Sequence, residues 1–214
     1  MKKYFITGTG TGIGKTFLVQ NLCESLTRQG KSVNALKPVI TGFSKAESDS
    51  RVLMDSNRIP YNEKNLDKIS PWRFVAAVSP DIAARKEGQK IDFAKVVKFC
   101  RSAFSSYDDF LFIEGIGGVM TPLNNEKTVA DLVHELQIPA LLVGGTYLGA
   151  ITHLLTAVKM LENIHAVIIN ESSEAPCATA ETLKTIENFT RKPVFFLPRG
   201  GDEKAMDKIL DFLY

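Results

Sequence analysis

Short apolar runs separated by longer stretches of helical spacing set the rhythm of this chain. Tyr4-Phe5-Ile6-Thr7 is the first run, and Phe17, Leu18, Leu22 and Leu26 then recur at helical intervals up to Gly30. A helix is therefore expected from Lys15 to about Gln29. Ser32 to Leu36 reads as a second strand, ended by Lys37-Pro38 because proline cannot continue a central strand. A polar loop is expected over 40 to 47 and a helix over Asp49 to Asn57. The stretch from Asn57 to Phe74, bracketed by Pro60 and Pro71, has no clear period.

Legibility returns after it. Ser79-Pro80 is a helix start and Gly88 a stop. Asp92 is an N-cap for a helix reaching about Ser105, with Phe93, Val96, Val97 and Cys100 on one face. Phe110-Leu111-Phe112-Ile113, Pro139 to Val143, Ala166 to Ile169 and Val194 to Leu197 are apolar throughout, as strands buried on both faces are. Helices are expected between them over Val129 to Gln137, Gly149 to Asn163 and Ala175 to Phe189. A last one is capped by Asp202 and packs Met206, Ile209, Leu210 and Leu213. Apolar strands alternating with helices predict an α/β fold of three layers, α/β/α, around a mostly parallel sheet of about seven strands.

Composition narrows the class without naming a function. The 214 residues are 44% apolar and 23% charged, which fits a single globular domain over 1 to 214. The net charge of +2 is dispersed, so no nucleic-acid partner is expected, and no stretch approaches the length of a membrane span, so no membrane is expected. Cys23, Cys100 and Cys177 form no disulfide framework and no metal-binding pair, and this points to the reducing cytoplasm. Cys23 and Cys100 fall in helical patterns and are expected in the core.

The chemistry starts at residues 4 to 16, YFITGTGTGIGKT: strand, glycine turn, Gly-Lys-Thr, helix. This is the layout of a phosphate-binding P-loop. Glycines let successive backbone N–H groups face one concavity, and a helix N-terminus favours an anion there. Lys15 supplies a point charge and the Thr16 hydroxyl a ligand for Mg²⁺. The loop is one residue longer than usual, since Gly8 rather than position 9 precedes Gly14. Glu114, at the end of a buried strand, is placed to hold Mg²⁺ as well. Asp49 is by itself an N-cap or a solvated acid, and Lys37 a surface lysine. Asn170 is a turn residue or a reader of a base edge. His153 is expected on a helix face without a catalytic task. The P-loop, Lys37, Glu114 and Asn170 all lie just past strand C-termini, the edge at which open α/β sheets bind ligands.

GTGTGIGKT, KPVITG at 37 to 42, SD at 48 and 49, SP at 79 and 80, EGIGGVMTPL at 114 to 123, LGAITH at 148 to 153 and IIN at 168 to 170 together resemble the dethiobiotin synthetases over most of the chain. The resemblance implies an ATP-dependent cyclo-ligase that uses Mg²⁺ and closes a ureido ring on diaminopelargonic acid with CO₂. It implies that Thr16, Asp49 and Glu114 hold the metal, and that Lys15 and Lys37 neutralise charge on phosphates and carbamate. Nucleotide contacts would come from Thr11, Gly12, Ile13, Gly14, Lys15, Thr16, Phe17, Asn170 and Pro198. Substrate contacts would come from Thr11, Lys37, Thr41, Pro80, Gly117, Gly118, Leu148, Gly149, Ala150 and Thr152. It also implies a homodimer in which the segment 148 to 153 reaches the partner's substrate. Two other classes share the P-loop. A partitioning ATPase would carry a signature lysine where Gly10 stands, and a small-molecule kinase would need an arginine-rich lid.

Overall fold

A computed structural model describes residues 1–45, 49–173 and 179–214. Six parallel strands form the central sheet in the order β2-β5-β1-β6-β7-β8. They are β1 (Lys2–Gly8), β2 (Val33–Leu36), β5 (Phe110–Glu114), β6 (Ala140–Gly144), β7 (Ile164–Asn170) and β8 (Val194–Leu197). Every residue of β5 and β6 is buried, which is why those runs carry no polar alternation. The sheet has six strands rather than about seven. A separate parallel pair, β3 (Val39–Thr41) with β4 (Trp72–Phe74), stands apart from it.

That pair corrects two expectations. Residues 39 to 41 are a strand, not the start of a polar loop, and 57 to 74 holds both α3 (Glu63–Ile69) and β4. Pro38 explains the split. Without an N–H it ends β2, and the chain then leaves the main sheet. The Lys37 N–H bonds Ile69 O at 3.1 Å, and the Trp72 N–H bonds Pro38 O at 3.1 Å, so the detour is tied at both sides of the proline.

Helices cover both faces. They are α1 (Lys15–Arg28), α2 (Asp49–Ser56), α4 (Pro80–Lys86), α5 (Phe93–Ser102), α6 (Val129–Leu136), α7 (Ala150–Lys159), α8 (Thr179–Thr190) and α9 (Glu203–Leu213). The side chain of Asp92 accepts from Lys95 N and that of Asp202 from Ala205 N, as N-caps do. A 3₁₀ turn, Ala103–Ser105, finishes the α5 segment. Helix α7 stops at Lys159, four residues short of the expected Asn163, because the chain must turn into β7 at Ile164. The expected helical residues Ala175 to 178, with Cys177, lie outside the described residues, as does Ser48. Cys23 and Cys100 are fully buried, and burial pushes both thiols up to about 12. Among the described residues no helix is long and apolar enough to cross a membrane.

One polar side chain completes the sheet. Strand β2 is an edge with β5 on one side only. On its free side Asn57 Oδ1 accepts from Ala35 N–H and Asn57 Nδ2 donates to Ala35 O, both at 2.7 Å. The carboxamide thus replaces a neighbouring strand for a residue that has no exposure to water. Because β2 leads directly into Lys37, this bracket also fixes the site. Asn57→Ala is expected to destabilise the fold by about 2 kcal/mol, the cost of leaving buried backbone groups unpaired. Urea unfolding with an unchanged midpoint would remove Asn57 from this role.

Candidate active site

The register of the sheet assembles the site. Ile6 lies opposite Glu114 across β1 and β5, so the acid stands beside the start of the P-loop. Backbone bonds from Gly115 N to Ile6 O (2.8 Å) and Val119 N to Gly8 O (2.9 Å) bind the loop after β5 to the P-loop. Gly118 permits this contact, since a Cβ there would lie 3.0 Å from Thr9 O. Gly12 and Gly14 hold φ of +72° and +88°, values that L side chains rarely adopt.

Four charges meet at the inner end. The buried Lys37 ammonium lies 2.6 Å from Glu114 Oε1, is paired with Asp49 Oδ2, and stands 3.4 Å from Thr16 Oγ1. Thr16 Oγ1 in turn donates to Glu114 Oε1 at 2.7 Å. Burial works against the Lys37 charge but is outweighed by Glu114 and Asp49, so its ammonium titrates above the ordinary lysine range. Burial likewise opposes the Asp49 carboxylate, and Lys37 outweighs it, holding Asp49 below the usual range. Two lysines and two carboxylates make a neutral cluster, which lets so many charges sit at low dielectric.

Lys15 is positioned differently. Its ammonium donates to Gly10 O at 2.7 Å and Gly117 O at 2.6 Å, folding the side chain back over its own loop. Burial, with Lys37 nearby, lowers it to about 8. Asn170, expected at a base edge, spends its amide N–H groups on the loop instead, donating to Ile13 O at 2.7 Å and Gly14 O at 3.1 Å. Its buried Oδ1 has no hydrogen-bond partner among the described residues.

The residues fit a hard divalent cation. Thr16, Asp49 and Glu114 converge on one positive point, now the Lys37 ammonium, and the buried Oε2 of Glu114 has no hydrogen-bond partner among the described residues. Among the described residues no three His, Cys, Asp or Glu cluster for a metal. A metal held here therefore needs further oxygen ligands from a phosphate chain, as Mg²⁺ sites do.

A cleft of about 800 Å³ opens beside the loop, lined among others by Thr9, Gly10, Thr11, Thr41, Pro80, Gly117 and Gly118, with Val78, Ile116, Val119, Met120 and Met160 supplying apolar wall. Of the expected substrate residues, Thr11, Thr41, Pro80, Gly117 and Gly118 lie in its wall. Lys37 lies behind it. Leu148, Gly149, Ala150 and Thr152 do not line it in the single chain, and Leu148 is 85% exposed. Phe17, in the first turn of α1, and Pro198, after β8, both lie near Gly201: a Cβ on Gly201 would stand 3.7 Å from the Phe17 ring, and Gly201 N–H bonds Pro198 O at 3.0 Å. The reading of residue types missed His153, Thr156, Ala157 and Met160 in the cleft wall. Their spacing of three, four and seven is one helix face, and that was the available signal.

A phosphate-binding loop at the C-terminal edge of a parallel sheet, with a charged cluster beneath it, defines a P-loop nucleotide-binding protein. Solved structures agree in fold: a MinC:MinD cell division complex from Aquifex aeolicus (TM-score 0.57, 18% identity, 100% of this chain and 85% of that one) and a ParA family ATPase from Chlorobium tepidum (0.54, 17%, 98% and 88%). A family model described as an AAA domain matches residues 2–196. Much nearer in sequence are two proteins named ATP-dependent dethiobiotin synthetase BioD. One, from Phenylobacterium zucineum, is 39% identical over 94% of this chain and 90% of its own length. The other, from Methylobacterium nodulans, is 35% identical over 94% and 95%. The chain belongs to the dethiobiotin synthetase family.

The lowered lysine makes nucleotide binding pH-linked. Lys15 loses its proton above about 8 in the free protein. An arriving polyphosphate favours the charged form and raises that value. Binding of ATP at a pH just above 8 is therefore expected to take up a proton, and below it not. Calorimetry in buffers of different ionisation enthalpy reads this directly. Proton uptake that persists in Lys15→Met would place it elsewhere.

Proposed function

We propose that this chain forms dethiobiotin from diaminopelargonic acid, CO₂ and ATP, through a carbamate and a carbamic-phosphoric anhydride, within one domain and in the cytoplasm. It is an ATP-dependent enzyme of the dethiobiotin synthetase family. The observation that carries the mechanistic reading is the neutral cluster of Lys15, Lys37, Asp49 and Glu114 under the P-loop, whose residues Thr9, Gly10 and Thr11 line a mostly apolar cleft.

The chemistry demands such an arrangement. An amine adding to CO₂ gives an anionic carbamate, and that anion must meet the γ-phosphate, itself an anion. Repulsion is the main obstacle, and electrostatics with positioning dominate its removal. Thr16, Asp49 and Glu114 would hold Mg²⁺, which would supply charge neutralisation there. With its carboxylate partners engaged elsewhere, Lys37 turns to the carbamate side, and Lys15 leaves the Gly10 and Gly117 carbonyls for the phosphates. The P-loop N–H groups from Thr11 to Thr16 orient the phosphate chain, with Phe17, Pro198 and Asn170 flanking the base. Thr11 and Thr41 orient the diamine, and the apolar wall takes its aliphatic tail. The second amine then attacks the activated carbonyl and expels phosphate, so no protein nucleophile is needed.

The working unit in this reading is a homodimer. Val78, Met120 and Met160 on the cleft wall are 38%, 50% and 44% exposed, and Leu148 beside them in sequence to α7 is more so. A second copy covering that rim would bring Leu148, Gly149, Ala150 and Thr152 to the partner's substrate, with N–H groups at the start of α7 facing its carboxylate. Sedimentation at assay concentration should give a dimer, and a fully active monomer would end this part of the reading.

The direct test is mass spectrometry after incubation with diaminopelargonic acid, bicarbonate and Mg-ATP. A CO₂-dependent dethiobiotin product with release of phosphate is expected, whereas a phosphorylated diamine would make the protein a kinase. In the same assay Lys37→Gln should lower the rate by roughly a hundred- to thousandfold, as loss of one charged donor does. Its ATP affinity, measured by calorimetry, should fall far less. Equal losses would reduce Lys37 to a phosphate ligand.

A further inference from the structure

We propose that Lys37 has a second task as a stand-in cation: it holds the oxygens that a divalent metal would take, so the metal binds this protein only together with a nucleotide. The proposal rests on the reading of Thr16, Asp49 and Glu114 as the residues that hold the metal.

The ammonium of Lys37 touches each of those three. It lies 2.6 Å from Glu114 Oε1 and 3.4 Å from Thr16 Oγ1, and it is paired with Asp49 Oδ2. Thr16 donates its own hydroxyl proton to Glu114 Oε1 at 2.7 Å and so turns a lone pair to the ammonium. That lone pair is the one a metal would use. A hard cation such as Mg²⁺ draws its oxygens in to about 2.0–2.1 Å, whereas an ammonium holds carboxylate oxygens at about 2.7–2.9 Å. The same three oxygens cannot serve both at once.

Lys37 is also built to stay. Strand β2 ahead of it is held by β5 and by the Asn57 carboxamide. Its own N–H is bonded to Ile69 O at 3.1 Å, and Pro38 fixes the chain direction directly after it. The side chain is buried, as is that of Glu114. A swing of the ammonium away from both acids, with nothing to replace it, would leave buried charges unpaired.

Charge balance gives the same answer. Lys15 and Lys37 already offset Asp49 and Glu114. A bare divalent ion would add two positive charges to a buried site with no anion to match them, which is costly. A metal carried by a polyphosphate arrives with an excess of negative charge and adds no such burden. Its oxygens offer the lysines new partners while the metal takes the acids. The buried Oε2 of Glu114, which has no hydrogen-bond partner among the described residues, is then free to join.

The test uses Mn²⁺, which takes the same oxygen ligands as Mg²⁺. Retention of Mn²⁺ by the protein is read in equilibrium dialysis, with and without a non-hydrolysable ATP analogue, and thermal midpoints are read on the same samples. Wild type is expected to retain Mn²⁺ with the analogue and not without it. Wild type that retains none even with the analogue would refute the metal reading of Thr16, Asp49 and Glu114. Lys37→Met and Lys37→Gln should bind Mn²⁺ without nucleotide at least about a hundredfold more tightly than wild type, because a positive charge beside the ion is gone. Mn²⁺ should raise the midpoint of these variants and not that of wild type. Adding Glu114→Gln to Lys37→Met should abolish both effects. A variant that folds only when Mn²⁺ is supplied supports the proposal in the same way. Two results overturn it: nucleotide-independent retention by wild type that Glu114→Gln removes, or Lys37 variants that neither gain Mn²⁺ binding nor are folded by it.

Discussion

The ammonium of Lys37 between the carboxylates of Asp49 and Glu114 is the contact on which the active-site end of this fold depends. Each acid arrives from a different element, Glu114 from the end of β5 and Asp49 from the start of α2. The lysine follows β2, which is held by β5 on one side and Asn57 on the other. Three separate parts of the chain are therefore tied by one buried charge. Removing either acid would leave a positive group unpaired at low dielectric, a cost of several kcal/mol, far above that of an exposed ion pair. The ion pairs of Lys37 thus also hold β2 and α2 together with the end of β5.

The same cluster shows why ligand entry involves exchange rather than simple addition. Every charged group is satisfied within the protein. A polyphosphate with its cation offers each of them a new partner of the correct sign: oxygen for the lysines, metal for the acids. The unpaired oxygens of Glu114 and Asn170 are two acceptors that this exchange can use. Little net charge moves, so the surroundings need not rearrange to accommodate it.

Much of this architecture was legible in the sequence because strands buried on both faces cannot disguise themselves. The β5 and β6 runs announce a parallel sheet, and Asp92 and Asp202 announce their helices. The P-loop, Glu114 and Lys37 follow from residue type and from their place after strands. What could not be read had physical causes. The segment 57 to 74 serves a two-stranded side sheet whose elements are too short to show a period. Asn57 looked like the frayed end of a helix, since nothing local reveals that its amide mimics a strand. Asn170 was legible as a polar strand end, but which polar group it would meet depends on the fold of residues 156 positions away.

The position of β1 has a consequence for how the protein is made. Its neighbours in the sheet are β5 and β6, so Tyr4 pairs with Phe112 and Thr7 with Leu142. β1 precedes both partners, with about half of these residues following it before β5 and nearly two-thirds before β6. Such long-range closure is slow, and until it happens Tyr4, Phe5 and Ile6 are open to other chains. Lys2 and Lys3 stand immediately before them, where charges discourage pairing with the wrong neighbour. The phosphate loop that defines the protein therefore takes shape only once β5 and β6 have followed it, although it precedes both in the chain.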